Sequence, residues 1–244
     1  MYDDSVLKQG LEELMLDCTD EQLDQLHTYY ERMVEVNKVM NLTAITEYKE
    51  VCVKHWLDSL SLVKALLPGE LNKPLRIIDV GTGAGFPGIP LKIFFPQWKI
   101  TLLDSLGKRV KFLEQVTTEL GLTDVTCVHG RAEELGRQPE HREGYNLCVS
   151  RAVTKMASLT ELCLPYVKVG GAMIAYKSAD SDAEIDDAAK AIRLMGGTIE
   201  NREKFTVPCS DYGRCLAVVR KITTTDRKYP RGGGKPMNAP ITGK

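Results

Sequence analysis

Long apolar runs are absent from this 244-residue chain. Stretches such as Ile77-Ile78 and Ala172 to Tyr176 fall far short of the roughly 18 residues a membrane helix needs, so no bilayer span is expected. The start, Met1-Tyr2-Asp3-Asp4, has neither the basic residues nor the apolar stretch of a secretory signal, and the expected compartment is the cytosol. No Cys-x-x-Cys pair occurs. The cysteines, at 18, 52, 127, 148, 163, 209 and 215, are odd in number and read as reduced thiols, and the histidines at 27, 55, 129 and 141 are scattered. Neither a disulfide framework nor a metal site is therefore expected. Internal repeats are missing too.

What is present is ordinary for a globular protein: 43% hydrophobic and 27% charged residues, enough to bury a core. The length corresponds to about 1.6 average domains, which allows one large domain or one domain with an appendage. The net charge of −1 hides an asymmetry. Residues 1 to 30 carry eight acids against one lysine, whereas 220 to 244 carry seven Lys/Arg against Asp226 alone, so the last 25 residues sum to +6 and the rest to −7. A basic end on an acidic body points to a polyanionic partner, with a merely solvated tail as the plain alternative.

Apolar periodicity divides the chain into a helical extension (1–70), an α/β domain (71–222) and a basic tail (223–244). Leu7, Leu11 and Leu14 recur at helical spacing, as do Leu23, Leu26, Tyr30, Met33, Val36 and Met40. Thr19-Asp20-Glu21-Gln22 has the form of a capping box opening the second of these helices. A third helix is read over 48–67, stopped by Pro68-Gly69. Beyond it, strands at 75–80, 98–104, 125–130, 146–151, 172–177, 199–207 and 215–222 alternate with helices at about 88–95, 108–121, 154–168 and 181–196. The last two strands are joined too closely for a helical crossover and are expected to be antiparallel. A seven-stranded, mostly parallel sheet with an antiparallel terminal hairpin is the layout of Rossmann-like class I methyltransferases, though periodicity alone leaves other doubly wound folds open.

The chemistry concentrates at Asp79-Val80-Gly81-Thr82-Gly83-Ala84-Gly85-Phe86-Pro87-Gly88, a strand running through a glycine loop into a helix. Gly83 to Gly88 matches G-x-G-x-x-G, which would suit a dinucleotide. Two features favour S-adenosylmethionine instead. Asp79 places a carboxylate where a cationic sulfonium and amino group are welcome and a pyrophosphate is not, with a turn cap as its alternative role. Pro87 and Pro90 remove backbone donors that a phosphate would use. Asp104, at the end of the second strand, stands where an acid takes ribose hydroxyls, or else caps the next helix. Gly130-Arg131-Ala132-Glu133-Glu134 follows the third strand, within reach of an adenine. Arg151, ending the fourth strand, is the candidate to bridge cofactor and substrate, with pairing to a structural acid as the alternative, and Lys177 ends the fifth.

Asn41-Leu42-Thr43-Ala44-Ile45, His55 with Asp58-Ser59, the 79–91 block, Gly130 to Glu133, Ser150-Arg151-Ala152-Val153 and Arg227-Lys228-Tyr229-Pro230-Arg231 together resemble the RsmG (GidB) family, in order and over nearly the whole chain. That resemblance implies S-adenosylmethionine-dependent methylation of N7 of a guanine in 16S ribosomal RNA of the small subunit. It also implies cofactor contacts at Gly81, Phe86, Ala132, Glu133 and Arg151, alongside Asp79, Gly83 and Asp104. One departure is Asn146, where the family often has aspartate. N7 has a lone pair and no proton to lose, so no general base is expected, and the lack of an Asn-Pro-Pro-Tyr motif agrees with a ring-nitrogen target. Arg227, Lys228, Tyr229 and Arg231, before the flexible Gly232-Gly233-Gly234, are the expected RNA contacts with Lys177, and Lys108, Arg109 and Lys111 add charge near the cleft. The protein is expected to act as a monomer. The rival readings are an NAD-dependent oxidoreductase and a non-catalytic RNA-binding protein.

Overall fold

A computed structural model describes residues 2–66, 69–151 and 153–243. Of the sequence features above, Met1, Leu67, Pro68, Ala152 and Lys244 lie outside the described residues. Helix α1 (Ser5–Glu13) buries Leu7 and Leu11, and α2 (Asp20–Met40) buries Leu26, Tyr29 and Met33 along one stripe. The capping box at the start of α2 is formed: the Gln22 amide N–H donates to Thr19 Oγ1 (3.2 Å), and the Thr19 N–H donates to Gln22 Oε1 (2.9 Å). Asn41 closes the same helix in a left-handed conformation that few other residues tolerate.

The expected single helix over 48–67 is instead wound three ways. It starts as α3 (Tyr48–Val51), widens to π pitch over Cys52–Leu57, passes through α4 (Asp58–Leu60) and tightens to 3₁₀ over Ser61–Ala65. Periodicity counts only buried positions, so it cannot register such a change of pitch.

Strand β1 (Arg76–Val80) leads through the glycine loop into α5 (Gly88–Phe94), followed by β2 (Lys99–Asp104), α6 (Gly107–Glu119), β3 (Val125–His129), a short α7 (Ala132–Leu135) and β4 (Tyr145–Arg151). Helix α8 (Met156–Cys163) gives way to a 3₁₀ turn at Leu164–Tyr166, shorter than the reading of 154–168, because Pro165 lacks the N–H that would continue it. Strand β5 (Val167–Ser178) consequently begins earlier than the predicted 172, with Val167 paired to Tyr145 across a register shift. The helical stretch 181–196 divides at Ala188 into α9 (Asp182–Asp187) and α10 (Ala189–Leu194), before β6 (Gly197–Thr206) and β7 (Gly213–Lys221).

The sheet order is β3-β2-β1-β4-β5-β7-β6, with β1 to β5 parallel and β7 antiparallel to both β5 and β6. Alternate residues of each strand enter opposite cores. Ile77, Ile100, Leu102, Val149, Ile174 and Val218 face one layer, which also holds Leu7, Leu26, Met33, Trp56 and Leu57 of the N-terminal helices. Ile78, Leu103, Cys148, Met173, Ala175 and Val219 face the other, covered by α8 to α10. Asn146 accepts the Arg76 N–H (2.9 Å), so a neutral amide closes the start of β1. The strand order reverses between β1 and β4, which opens a crevice at their carboxyl ends.

Candidate functional site

At that crevice the chain after Val80 turns sharply, and the turn is tied down from four sides. The Gly81 and Thr82 amides donate to Leu103 O on β2 (2.9 and 3.1 Å). Tyr29 of α2 donates its hydroxyl to Ala84 O (2.6 Å), and Ser150 of β4 donates to Val80 O (2.7 Å). Gly81 has φ +73°, and a Cβ there would lie 2.6 Å from Val153.

Asp79 holds the fourth side. It is fully buried, and its Oδ2 accepts the Thr82 hydroxyl (2.6 Å) and the Gly88 N–H (2.9 Å), so it closes the loop upon itself. Burial pushes its carboxyl up to about 7, against the pull of those two bonds. Asp79 lies beneath the loop, outside the cavity lining, and its bonds give it the loop-capping role that was its alternative. Asp104 ties the glycine loop to the turn before α6. Its Oδ2 accepts the Gly83 N–H (3.0 Å) and its Oδ1 the Leu106 N–H (2.9 Å), while the residue borders the cavity.

The cavity is about 530 Å³, within the usual range for a small-molecule site. Gly81, Asp104, Ala132 and Glu133, four of the predicted contacts, line it together. Glu133, 7% exposed, lies 3.6 Å from the largely exposed Arg131. Val153, Leu162 and the solvent-facing Leu106 supply apolar surface. Three further lining residues, Gly234, Met237 and Asn238, escaped sequence reasoning. The glycine run before them reads as flexible, although Pro236 is a helix-start signal and does open a short α11 (Lys235–Asn238).

Phe86 and Arg151 belong to a second cluster beside the loop, outside the cavity lining. The Phe86 ring stacks on His55 (4.3 Å between centroids, 24°) with the Arg151 guanidinium 5.1 Å from its centre. Arg151 donates to Asp58 Oδ2 (2.9 Å) and to the Lys54 carbonyl (2.9 Å). That carbonyl is free for it because π winding sends the Asp58 amide to Val53 O instead. Asp58, fully buried, also takes a forked pair of bonds from Arg214 (3.0 and 2.9 Å). Burial and then the adjacent Arg151 hold His55 down at about 3, so the ring is neutral. Arg151 Nη2 and the Lys54 carbonyl both lie 3.2 Å from its Nδ1, and its Nε2 lies 2.9 Å from Thr43 Oγ1. Arg151 therefore has the structural-acid pairing that was its alternative, together with a place on the loop.

The residues expected to meet RNA separate into two groups. Arg227 and Lys228 are exposed, the latter 3.1 Å from Asp226. Lys177 is engaged by Thr154 O (2.7 Å) and Glu184 (2.6 Å), and Tyr229 packs partly buried against the α8 to α10 core. Arg231 is not free either. Its guanidinium forks onto Glu161, which is fully buried, at 2.7–3.1 Å. A buried carboxylate on α8 outcompetes water for this cation, and sequence spacing could not pair residues 70 apart.

The whole arrangement has counterparts among known proteins. Residues 22–210 match the family model GidB, described as rRNA small subunit methyltransferase G. The chain is 47% identical to a ribosomal RNA small subunit methyltransferase G of Lachnoclostridium phytofermentans, over 100% of both chains. With the protein of that name from Alkaliphilus metalliredigens it shares 50% identity, over 97% of this chain and 98% of the relative. The Methanococcus jannaschii fibrillarin pre-rRNA processing protein is similar in fold, with TM-score 0.51 and 11% identity over 67% of this chain and 74% of that one.

Proposed function

The chain belongs to the GidB family of small-subunit ribosomal RNA methyltransferases, and from that membership we propose that it moves a methyl group from S-adenosylmethionine to N7 of a guanine in 16S ribosomal RNA. It does so in the cytoplasm, as a monomer, on the small ribosomal subunit or its RNA.

The observation that carries this reading is the cavity at the ends of β1, β2 and β3, bordered by Gly81 at the start of the glycine loop and rimmed by Asp104 and Glu133, while Gly83 lies outside its lining. An adenosine presents hydroxyls and an amine, all donors, to these two acceptors, and a cationic donor molecule suits a rim of negative charge. A pyrophosphate would face both carboxylates, which disfavours a dinucleotide.

The donor brings an electrophilic methyl carbon on a sulfonium. Everything else falls to the chain's own residues. Since N7 has no proton to lose, alignment to about 3–3.5 Å matters more than proton transfer, and the neutral, fully engaged His55 has no base role to perform. Asp104 and Glu133 bind and orient, and Gly81 lets the backbone approach. Arg151, with Arg214 on the same carboxylate, is assigned to the target base, donating to guanine O6 while leaving N7 open.

Two measurements test the proposal. Calorimetry with S-adenosylmethionine should show one site per chain, and absence of heat would remove the cofactor. Purified protein with labelled donor should place one methyl on small-subunit RNA, located by mass spectrometry of nuclease fragments. A methyl on another base or another atom would overturn the N7 assignment.

A further inference from the structure

The basic tail does not leave the body of the protein. Arg231 is anchored through its side chain on Glu161, and its own N–H adds a bond to the same carboxylate (2.7 Å). The far Nη2 of that guanidinium also reaches Ala239 O (2.8 Å), so the C-terminal end of α11 is fixed to the same arginine. Between them the Gly234 N–H donates to Glu133 Oε1 (3.2 Å), the carboxylate that rims the cavity.

From these contacts we infer that residues 231–239 form the outer wall of the cofactor cavity, with Met237 and Asn238 lying against the adenosine half of the bound S-adenosylmethionine. The inference rests on the cofactor reading above.

The choice of the adenosine half follows from position. The cavity runs along the strand ends from β1, where Gly81 sits, to β2 and β3, where Asp104 and Glu133 sit. An acid ending the second strand takes ribose hydroxyls, so the base lies further out, toward Glu133. That is the carboxylate to which the tail is bonded. Met237 is 48% exposed and Leu106 43%, and both border this cavity. Two large apolar side chains left wet on one rim are what a flat purine would cover, and a thioether adapts well to an aromatic face.

The test is calorimetric titration of S-adenosylmethionine and S-adenosylhomocysteine into three forms: the full chain, the Met237→Ala/Asn238→Ala variant, and a chain ending at Gly232. Both positions of the point variant are exposed, so its ligand-free melting temperature should match the full chain. Its Kd for both ligands should weaken by about tenfold, with the ligand-induced rise in melting temperature reduced to match. The shortened chain should lose at least as much. Unchanged Kd values in the point variant, with the full chain binding normally, would overturn the wall and leave the cofactor reading standing. No binding by the full chain would overturn both.

Discussion

Asp79 and His55 are buried titratable groups packed against the same loop, and they respond to acid in opposite directions. Asp79 titrates at about 7 in the folded chain, above its ordinary value, so the folded state holds the extra proton and this group's share of stability shrinks as pH rises from about 4 to 7. His55 titrates at about 3, below its ordinary value, so the unfolded chain takes up the proton first and this share shrinks as pH falls below about 6.5. Between about pH 4 and 6.5 the two slopes oppose each other. Asp79→Asn resembles the protonated acid and can still accept from Thr82 and Gly88. It should unmask the histidine, giving a urea-unfolding free energy that drops with acidification by up to about 1.4 kcal/mol per pH unit more steeply than wild type. His55→Gln should do the reverse and gain stability toward pH 4. Parallel profiles for wild type and Asp79→Asn would dismiss the buried acid as the source.

At the scale of elements, the glycine loop is held by its neighbours as much as by its own residues. A methyl at position 81 would have to accept a left-handed φ, costing about 1–2 kcal/mol, and would also meet Val153 at 2.6 Å. Gly81→Ala should therefore lower the melting temperature and weaken cofactor binding together. Adding Val153→Ala should recover part of the loss by removing the clash, while the φ penalty stays. No recovery in the double variant would mean that the contact with Val153 does not limit the loop. This loop and the strands around it were legible in the sequence because each signal is local: a strand, a run of glycines, an acid at the next strand end. Asp104 borders the cavity for the same reason. What escaped depends on distant partners. Asp79 points under the loop because Gly88 needs an acceptor, Arg231 turns inward because Glu161 is buried 70 residues earlier, and Arg151 lies across Phe86 because π winding frees the Lys54 carbonyl.

For the molecule as a whole, the tail's charge has to be divided between the interior and the surface. Arg231 is committed to Glu161, so replacing it would test folding: breaking a pair with so buried a carboxylate costs about 3–5 kcal/mol where the cation is fully enclosed, and somewhat less here, since Arg231 keeps 28% of its side chain exposed. Arg227 and Lys228 are tail cations on the outside, close in sequence to the cofactor wall and absent from the cavity lining. RNA affinity that comes from phosphate neutralisation falls with salt at a slope of about 0.7–0.9 per contact. Arg227→Ala/Lys228→Ala should thus weaken binding of small-subunit RNA and flatten the plot of log affinity against log salt by up to about 1.8. The Kd for S-adenosylmethionine should stay at its wild-type value, because the Arg231 anchor and the bond from Gly234 to Glu133 are untouched. An RNA slope identical to wild type would move the polyanion contact away from the tail, toward Lys108 and Lys111 on the exposed side of α6.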